Sequence, residues 1–138
     1  MKNFLLILVF LLSGRLTAQS HLAVIVNHSV SADTISAQQL LDIYSLNTRQ
    51  WDDGKQIVPV RLQGNESGTK SFYDFIGKKS LEMKKLWLRI QLSGEGMAPI
   101  AFSSDSDVIE KVASTRGAIG FVDSDKVTDK VKILLILP

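Results

Sequence analysis

The densest run of groups able to do chemistry in this 138-residue chain is Arg61-Leu62-Gln63-Gly64-Asn65-Glu66-Ser67-Gly68-Thr69-Lys70. Its pattern is the end of a strand, a flexible loop and the start of a helix. A helix start presents backbone N–H groups with no partner inside the helix, and it carries the positive end of the helix dipole. Ser67 and Thr69 add hydroxyl donors beside those amides, and Gly68 has no Cβ to hold a ligand oxygen off the main chain. Arg61 brings a planar fork for two oxygens. What these groups could do together is bind a small oxyanion such as phosphate or sulfate. The amides of Gly68 and Thr69 and the Ser67 hydroxyl are then expected to converge on an open concavity within reach of Arg61. A plainer role fits the same residues. Ser67 or Thr69 would cap a helix, stabilising it by about 1 kcal/mol, with Arg61 on the surface and Glu66 a solvated loop residue. Spacing alone leaves both readings open.

Other candidates carry less. Gly64 to Ser71 is not a nucleotide loop, because three residues rather than four separate Gly64 from Gly68 and Thr69 intervenes before Lys70. Asp105 and Asp107 do not share a helix face, so capping and solvation account for them. Asp123-Ser124-Asp125 lacks the further ligands of a calcium loop. His21 and His28 have no nucleophile context. Trp51, Trp87, Tyr44 and the phenylalanines sit at core spacing. The sequence makes no case for catalysis, a resident metal or a cofactor.

The elements that must position the oxyanion candidates can be read from the hydrophobic pattern. Leu22 to Val26 is a continuous apolar run, as expected of a buried strand. Ser36 with Gln39 is a capping box opening a helix that carries Leu40, Leu41 and Tyr44. Asn47 to Lys55 is a turn around Asp53-Gly54. Ile57 to Leu62 is a second strand, in which Pro59 suits an edge or a strand start. A short helix runs from Thr69 to Ile76 and is closed by Gly77. Ser80 caps the next helix, whose apolar stripe is Met83, Leu86, Trp87 and Ile90. Lys78, Lys79, Lys84 and Lys85 crowd its solvent side. Ile100 to Phe102, Ala118 to Val122 and Lys132 to Leu137 are three further strands, and Ser104 with Asp107 starts a helix that stops before Gly117. Strands alternating with helices predict one α/β domain over residues 21–138, a mostly parallel mixed five-stranded sheet with helices on both faces.

The first twenty residues read differently. Met1-Lys2-Asn3 is a short basic start, Phe4 to Leu12 (FLLILVFLL) is an unbroken apolar run, and Ala18-Gln19-Ser20 fits a small-x-small cleavage pattern. This is the layout of a secretory signal peptide over residues 1–20, cleaved after Ala18 or Ser20, and it implies a periplasmic or secreted protein. The run is shorter than the roughly 20 residues of a membrane span. The whole chain has 16 basic and 14 acidic residues. Without Lys2 and Arg15 the remainder holds 14 of each, and that neutrality argues against nucleic acid as a partner. The absence of cysteine excludes disulfides, thiolate metal sites and cysteine nucleophiles.

Taken in order, Thr34 to Tyr44 (TISAQQLLDIY), Trp51, Ile57 to Arg61 (IVPVR), Ser67 to Phe72 (SGTKSF) and Gly117 to Val122 (GAIGFV) resemble the phosphate-binding proteins of bacterial ABC phosphate transporters. The resemblance runs from about Leu22 to the C-terminus. It implies a periplasmic-binding-protein type II fold, with Ser67, Gly68 and Thr69 holding phosphate oxygens at the helix N-terminus and Arg61 as cationic partner. It also implies a solute-binding protein rather than an enzyme, with a membrane transporter or sensor as partner. The chain departs from the family in two ways. It is similar to a single lobe, so a homodimer or another chain would have to close the site. Its loop between Arg61 and Ser67 is longer and carries Gln63, Asn65 and Glu66. The alternative function is a protein-interaction or sensor-accessory module with a degenerate ligand site.

Overall fold

The computed structural model describes residues 21–64 and 67–138; the expected signal peptide lies outside them, as do Asn65 and Glu66. Five strands form one sheet: β1 (Leu22–Val26), β2 (Val58–Leu62), β3 (Ile100–Phe102), β4 (Ala118–Asp123) and β5 (Lys132–Ile136). Four helices connect them: α1 (Ala37–Tyr44), α2 (Ser67–Ile76), α3 (Ser80–Leu92) and α4 (Asp105–Ser114). The strand order is β3-β2-β4-β1-β5. β2 runs parallel to β3 and β4, and β1 runs antiparallel to β4 and β5. One strand therefore opposes the other four, giving the mostly parallel mixed α/β sheet that the sequence predicts.

Both faces of the sheet are covered, as the solid apolar runs require. A Cβ added to Gly120 would stand 2.9 Å from Val108 and 3.2 Å from Val112, both on α4. The next residue, Phe121, stacks on Phe72 of α2 with ring centroids 4.0 Å apart. Successive strand residues point to opposite faces, so α4 covers one face and α2 the other. Tyr44 ends α1 in the core on the α2 side, its hydroxyl donating to the Val60 carbonyl at 2.7 Å. The Trp87 indole N–H donates to the Tyr44 carbonyl at 2.7 Å, which fastens α3 to α1.

Local signals set several boundaries. The Ser36–Gln39 capping box forms with both reciprocal bonds. Ser104 caps α4 by accepting from the Asp107 amide. Pro59 follows Val58, whose N–H donates across to Gly117 on the β4 side, so its donorless nitrogen faces the β3 side. β3 pairs only from Val60 onward, and no ladder bond is lost. Other expectations are corrected. Ser80 does not cap α3; Lys79 holds that position without a side-chain bond. α2 begins at Ser67 rather than Thr69, placing both inside the first turn. The second and fifth strands are each one residue shorter than expected, β2 beginning at Val58 and β5 ending at Ile136.

Where β2 begins, a set of buried polar groups is bonded around Gly117. Gly117 has φ of 76°, and a Cβ there would lie 2.1 Å from the Gln56 carbonyl oxygen. Its N–H donates to the Ser29 hydroxyl and its carbonyl accepts from the Trp51 indole. Asn27, buried beside it, donates to the carbonyls of Val112 and Ala113 and accepts from the Ser29 amide.

Candidate functional site

The oxyanion candidates lie at the other end of the sheet. Arg61 pairs with Ala101 and Leu62 with Phe102, and the Gln63 amide continues the ladder to the Phe102 carbonyl at 2.8 Å. Both parallel strands then turn into helices, β2 into α2 and β3 into α4. Two helix N-termini thus stand beyond the carboxyl ends of adjacent strands, where open α/β sheets bind ligands.

The two starts differ in charge and satisfaction. The first turn of α4 holds Asp105 and Asp107, which repel an anion, and Ser104 takes one of its amides. Asp105 is half-buried and Asp107 exposed, as expected of residues that do not share a face. The first turn of α2 holds no acid.

Ser67, Gly68 and Thr69 are the first three residues of α2, so their amides are among the four that a helix leaves unpaired. The Ser67 side chain lies outside the described residues. Gly68 is half-buried, and a Cβ on it would meet Leu22 Cδ1 at 3.3 Å. The missing Cβ therefore lets α2 lie close on β1. Thr69 is 3% exposed, and its hydroxyl oxygen is enclosed with no hydrogen-bond partner among the described residues. Its side chain is buried rather than set in an open concavity. An enclosed hydroxyl without a partner costs about 1–3 kcal/mol.

Arg61 is not a surface residue. It alternates with buried Val60 and Leu62 and is itself half-buried. Its guanidinium carbon lies 4.9 Å from the Trp87 ring centroid, a cation–π contact. Its Nε is enclosed without a partner among the described residues. Tyr44 and Tyr73 also feel its charge. Burial pushes the Tyr44 phenol well above the usual tyrosine range and Tyr73 adds to the shift, while Arg61 opposes it. Tyr73 is raised by burial too, with Arg61 and a bond to Ser80 acting against the rise. Both phenols are neutral near pH 7. The sequence thus brings Ser67, Gly68 and Thr69 into one helical turn, and Arg61 onto the same sheet face but laid on α3.

The sequence reading missed the seat of this arginine. Trp87 was legible as a core residue of α3, and its role as the ring under Arg61 carries no local signal. Tyr73 was also missed; it lies four residues after Thr69, one turn along the same helix. Among the described residues, no three or more His, Asp or Glu side chains stand together as a metal site, and no helix is long and apolar enough to cross a membrane.

A family model described as a PBP superfamily domain matches residues 13–133. The chain belongs to this family. Solved structures with the same fold include three proteins, each 18% identical and matched over 83% of this chain. One, from Clostridium perfringens, is described as a phosphate ABC transporter substrate-binding protein and holds bound phosphate, with a TM-score of 0.69. Another is an ABC-type phosphate transport receptor from Vibrio cholerae, at 0.66. The third is PstS from Borrelia burgdorferi, at 0.63. This chain covers 44%, 45% and 46% of them respectively, less than half of each. It has the fold of one PBP-like lobe. No match was found among curated proteins.

Proposed function

We propose that this PBP-like lobe is a periplasmic or secreted solute-binding module that holds phosphate or a similar small oxyanion at the start of α2. Ser67, Gly68 and Thr69 supply donors and Arg61 supplies charge. The observation that carries the reading is the enclosed, unpartnered hydroxyl of Thr69 in a first turn that has no acid. A bound oxyanion would give that hydroxyl an acceptor and neutralise the positive end of the helix. The structural likeness to phosphate receptors supports the ligand class, and the apolar run Phe4 to Leu12 supports export. The role is binding rather than catalysis, and the partner is a membrane transporter or sensor.

One lobe limits the affinity. Hydrogen bonds to a charged group contribute about 1.5–3 kcal/mol each, and immobilising the ligand costs at least about 4 kcal/mol. Three contacts less that cost leave at most about 5 kcal/mol, a range that includes a Kd around 1 mM, about 4 kcal/mol. A homodimer or another chain closing over α2 would exclude water and tighten the site. Calorimetric titration of the chain with phosphate, sulfate and a neutral sugar tests the reading. Weak, salt-sensitive binding of the anions only, lost in Arg61→Ala, is the expected result. No heat with any anion, at every protein concentration tried, would sink it.

A second reading has its own observation. The Arg61 guanidinium already rests on Trp87, and a cation spent on packing fits an interaction or sensor-accessory module with a degenerate site. In that case Arg61→Ala lowers stability and leaves anion titrations unchanged.

A further inference from the structure

The outer face of α3 has no role in the fold or in the oxyanion site. The helix buries Met83, Trp87 and Ile90. Leu81, Leu88 and Leu92 are 62%, 57% and 80% exposed. Their spacings of seven and four residues put the three on one line along the helix, nearly opposite the buried stripe. α3 is thus apolar on two opposite sides, and only one of them meets the protein. On the helical wheel Lys84 flanks the leucine line on one side, and Lys85 and Arg89 on the other; all three are exposed. Lys78 and Lys79 stand exposed just before the helix.

The charge is concentrated there. From Lys78 to Arg89 the chain has five cations and one acid, Glu82. The rest of residues 21–138 then holds nine basic and thirteen acidic residues. A molecule neutral in sum is therefore positive at one helix and negative elsewhere, so an anionic surface would orient it with α3 inward.

We infer that α3 docks on the surface of an anionic phospholipid bilayer, with Leu81, Leu88 and Leu92 entering the headgroup–acyl boundary and the flanking lysines and Arg89 lying among lipid phosphates. Charge complementarity selects this occupant. A second copy of the chain would bring the same cations face to face across the leucines, where like charges oppose association. Apolar side chains rimmed by lysine and arginine on one helix face are what an interfacial helix needs. α3 lies in the bilayer plane here and does not span it.

The test uses the absence of cysteine. Gln91→Cys, at an exposed position of α3, gives the full chain one site for an environment-sensitive dye. We expect a blue shift on vesicles containing phosphatidylglycerol, none on vesicles of phosphatidylcholine alone, and loss of the shift at high salt. Leu88→Gln with Leu92→Gln should abolish it; both side chains face solvent, so the far-ultraviolet circular dichroism should stay unchanged. Lys84→Glu with Lys85→Glu should weaken partitioning about tenfold or more. An equal shift on both vesicle types, or one that survives the double leucine variant, would overturn the proposal. So would a lipid-free dimer, detected by sedimentation, that dissociates in the leucine variant, or no shift at all together with capture by a soluble acidic protein. Oxyanion titrations of the same variants should match wild type, which keeps this surface separate from the α2 site.

Discussion

The two ends of the sheet treat buried polar groups in opposite ways. Where β2 begins, every group of the Asn27 side chain that can bond does so, and Ser29 and Trp51 close around Gly117. Where β2 finishes, Thr69 is buried like Asn27, yet among the described residues its hydroxyl has no partner, and neither does Arg61 Nε. Folding penalises unsatisfied polar atoms by about 1–3 kcal/mol each. Among the described residues, the Gly117 end bonds its buried Asn27 side chain, while the other end leaves Thr69 Oγ1 and Arg61 Nε without a partner. The second is where a ligand has something to gain.

Substitutions at the Gly117 end should cost most. Gly117→Ala forces a Cβ into the Gln56 carbonyl and strains a positive φ. We expect a loss of about 3 kcal/mol or more, read as a lower urea midpoint. Asn27→Ala strands the Ala113 carbonyl and leaves Val112 only the 3.5 Å bond from the Thr115 amide, and should cost about 2–3 kcal/mol. If either change lowered oxyanion binding in protein that is still folded, the division between the two ends would be wrong.

The middle of the sheet gives a pH test. Burial holds Tyr44 in its neutral form, so its folded pKa lies above the unfolded value of about 10. The stability this confers is fully present below pH 10 and is lost as pH rises towards the folded value. Above pH 10, Tyr44 should steepen the decline by about 1.4 kcal/mol per pH unit. Tyr44→Phe should cost about 1 kcal/mol at neutral pH, by leaving the Val60 carbonyl unpaired. It should also flatten the alkaline decline by that one group. Denaturant midpoints between pH 9 and 11 measure both effects, and an unchanged slope would show that Tyr44 ionises freely in the fold.

The comparison also marks what a sequence can disclose. The capping box of Ser36 and Gln39, the Ser104 cap and the glycine after α4 are local, set by residues within a few positions, and they are legible. The strand runs are legible because a sheet covered on both faces needs unbroken apolar segments. The site is legible only as a set of residue types. Arg61 and Trp87 are 26 positions apart, and only the β2–α2–α3 path brings them together. Gly68 reads as room for a ligand, but the structure puts Leu22 of β1 against it. Asn27 carries no local signal of its role, since its partners Val112 and Ala113 lie on α4, 85 and 86 residues away. Ser80 misleads because a serine before an apolar stripe is a cap signal, and here the chain turns one residue earlier.

The smallest effect on stability should come from Thr69→Val, and it is the sharpest test of the Thr69 end. Valine keeps the branched shape and replaces an enclosed hydroxyl by a methyl group. If that hydroxyl has no partner in the ligand-free protein, removing it relieves a desolvation cost. Stability should then stay the same or rise by up to about 1 kcal/mol. Valine's helix propensity is close to that of threonine, so the backbone adds no opposing loss. Asn27→Ala, also a buried polar change, at the other end, should do the reverse. With a bound oxyanion the Thr69 hydroxyl becomes a donor to a charged acceptor, so the same change should weaken phosphate binding by about 1.5–3 kcal/mol, or roughly 10- to 150-fold. Unchanged stability with lost binding is what a ligand site produces. A structural hydroxyl would give the opposite pair, lost stability with unchanged binding, and that result would place the purpose of α2 in packing alone.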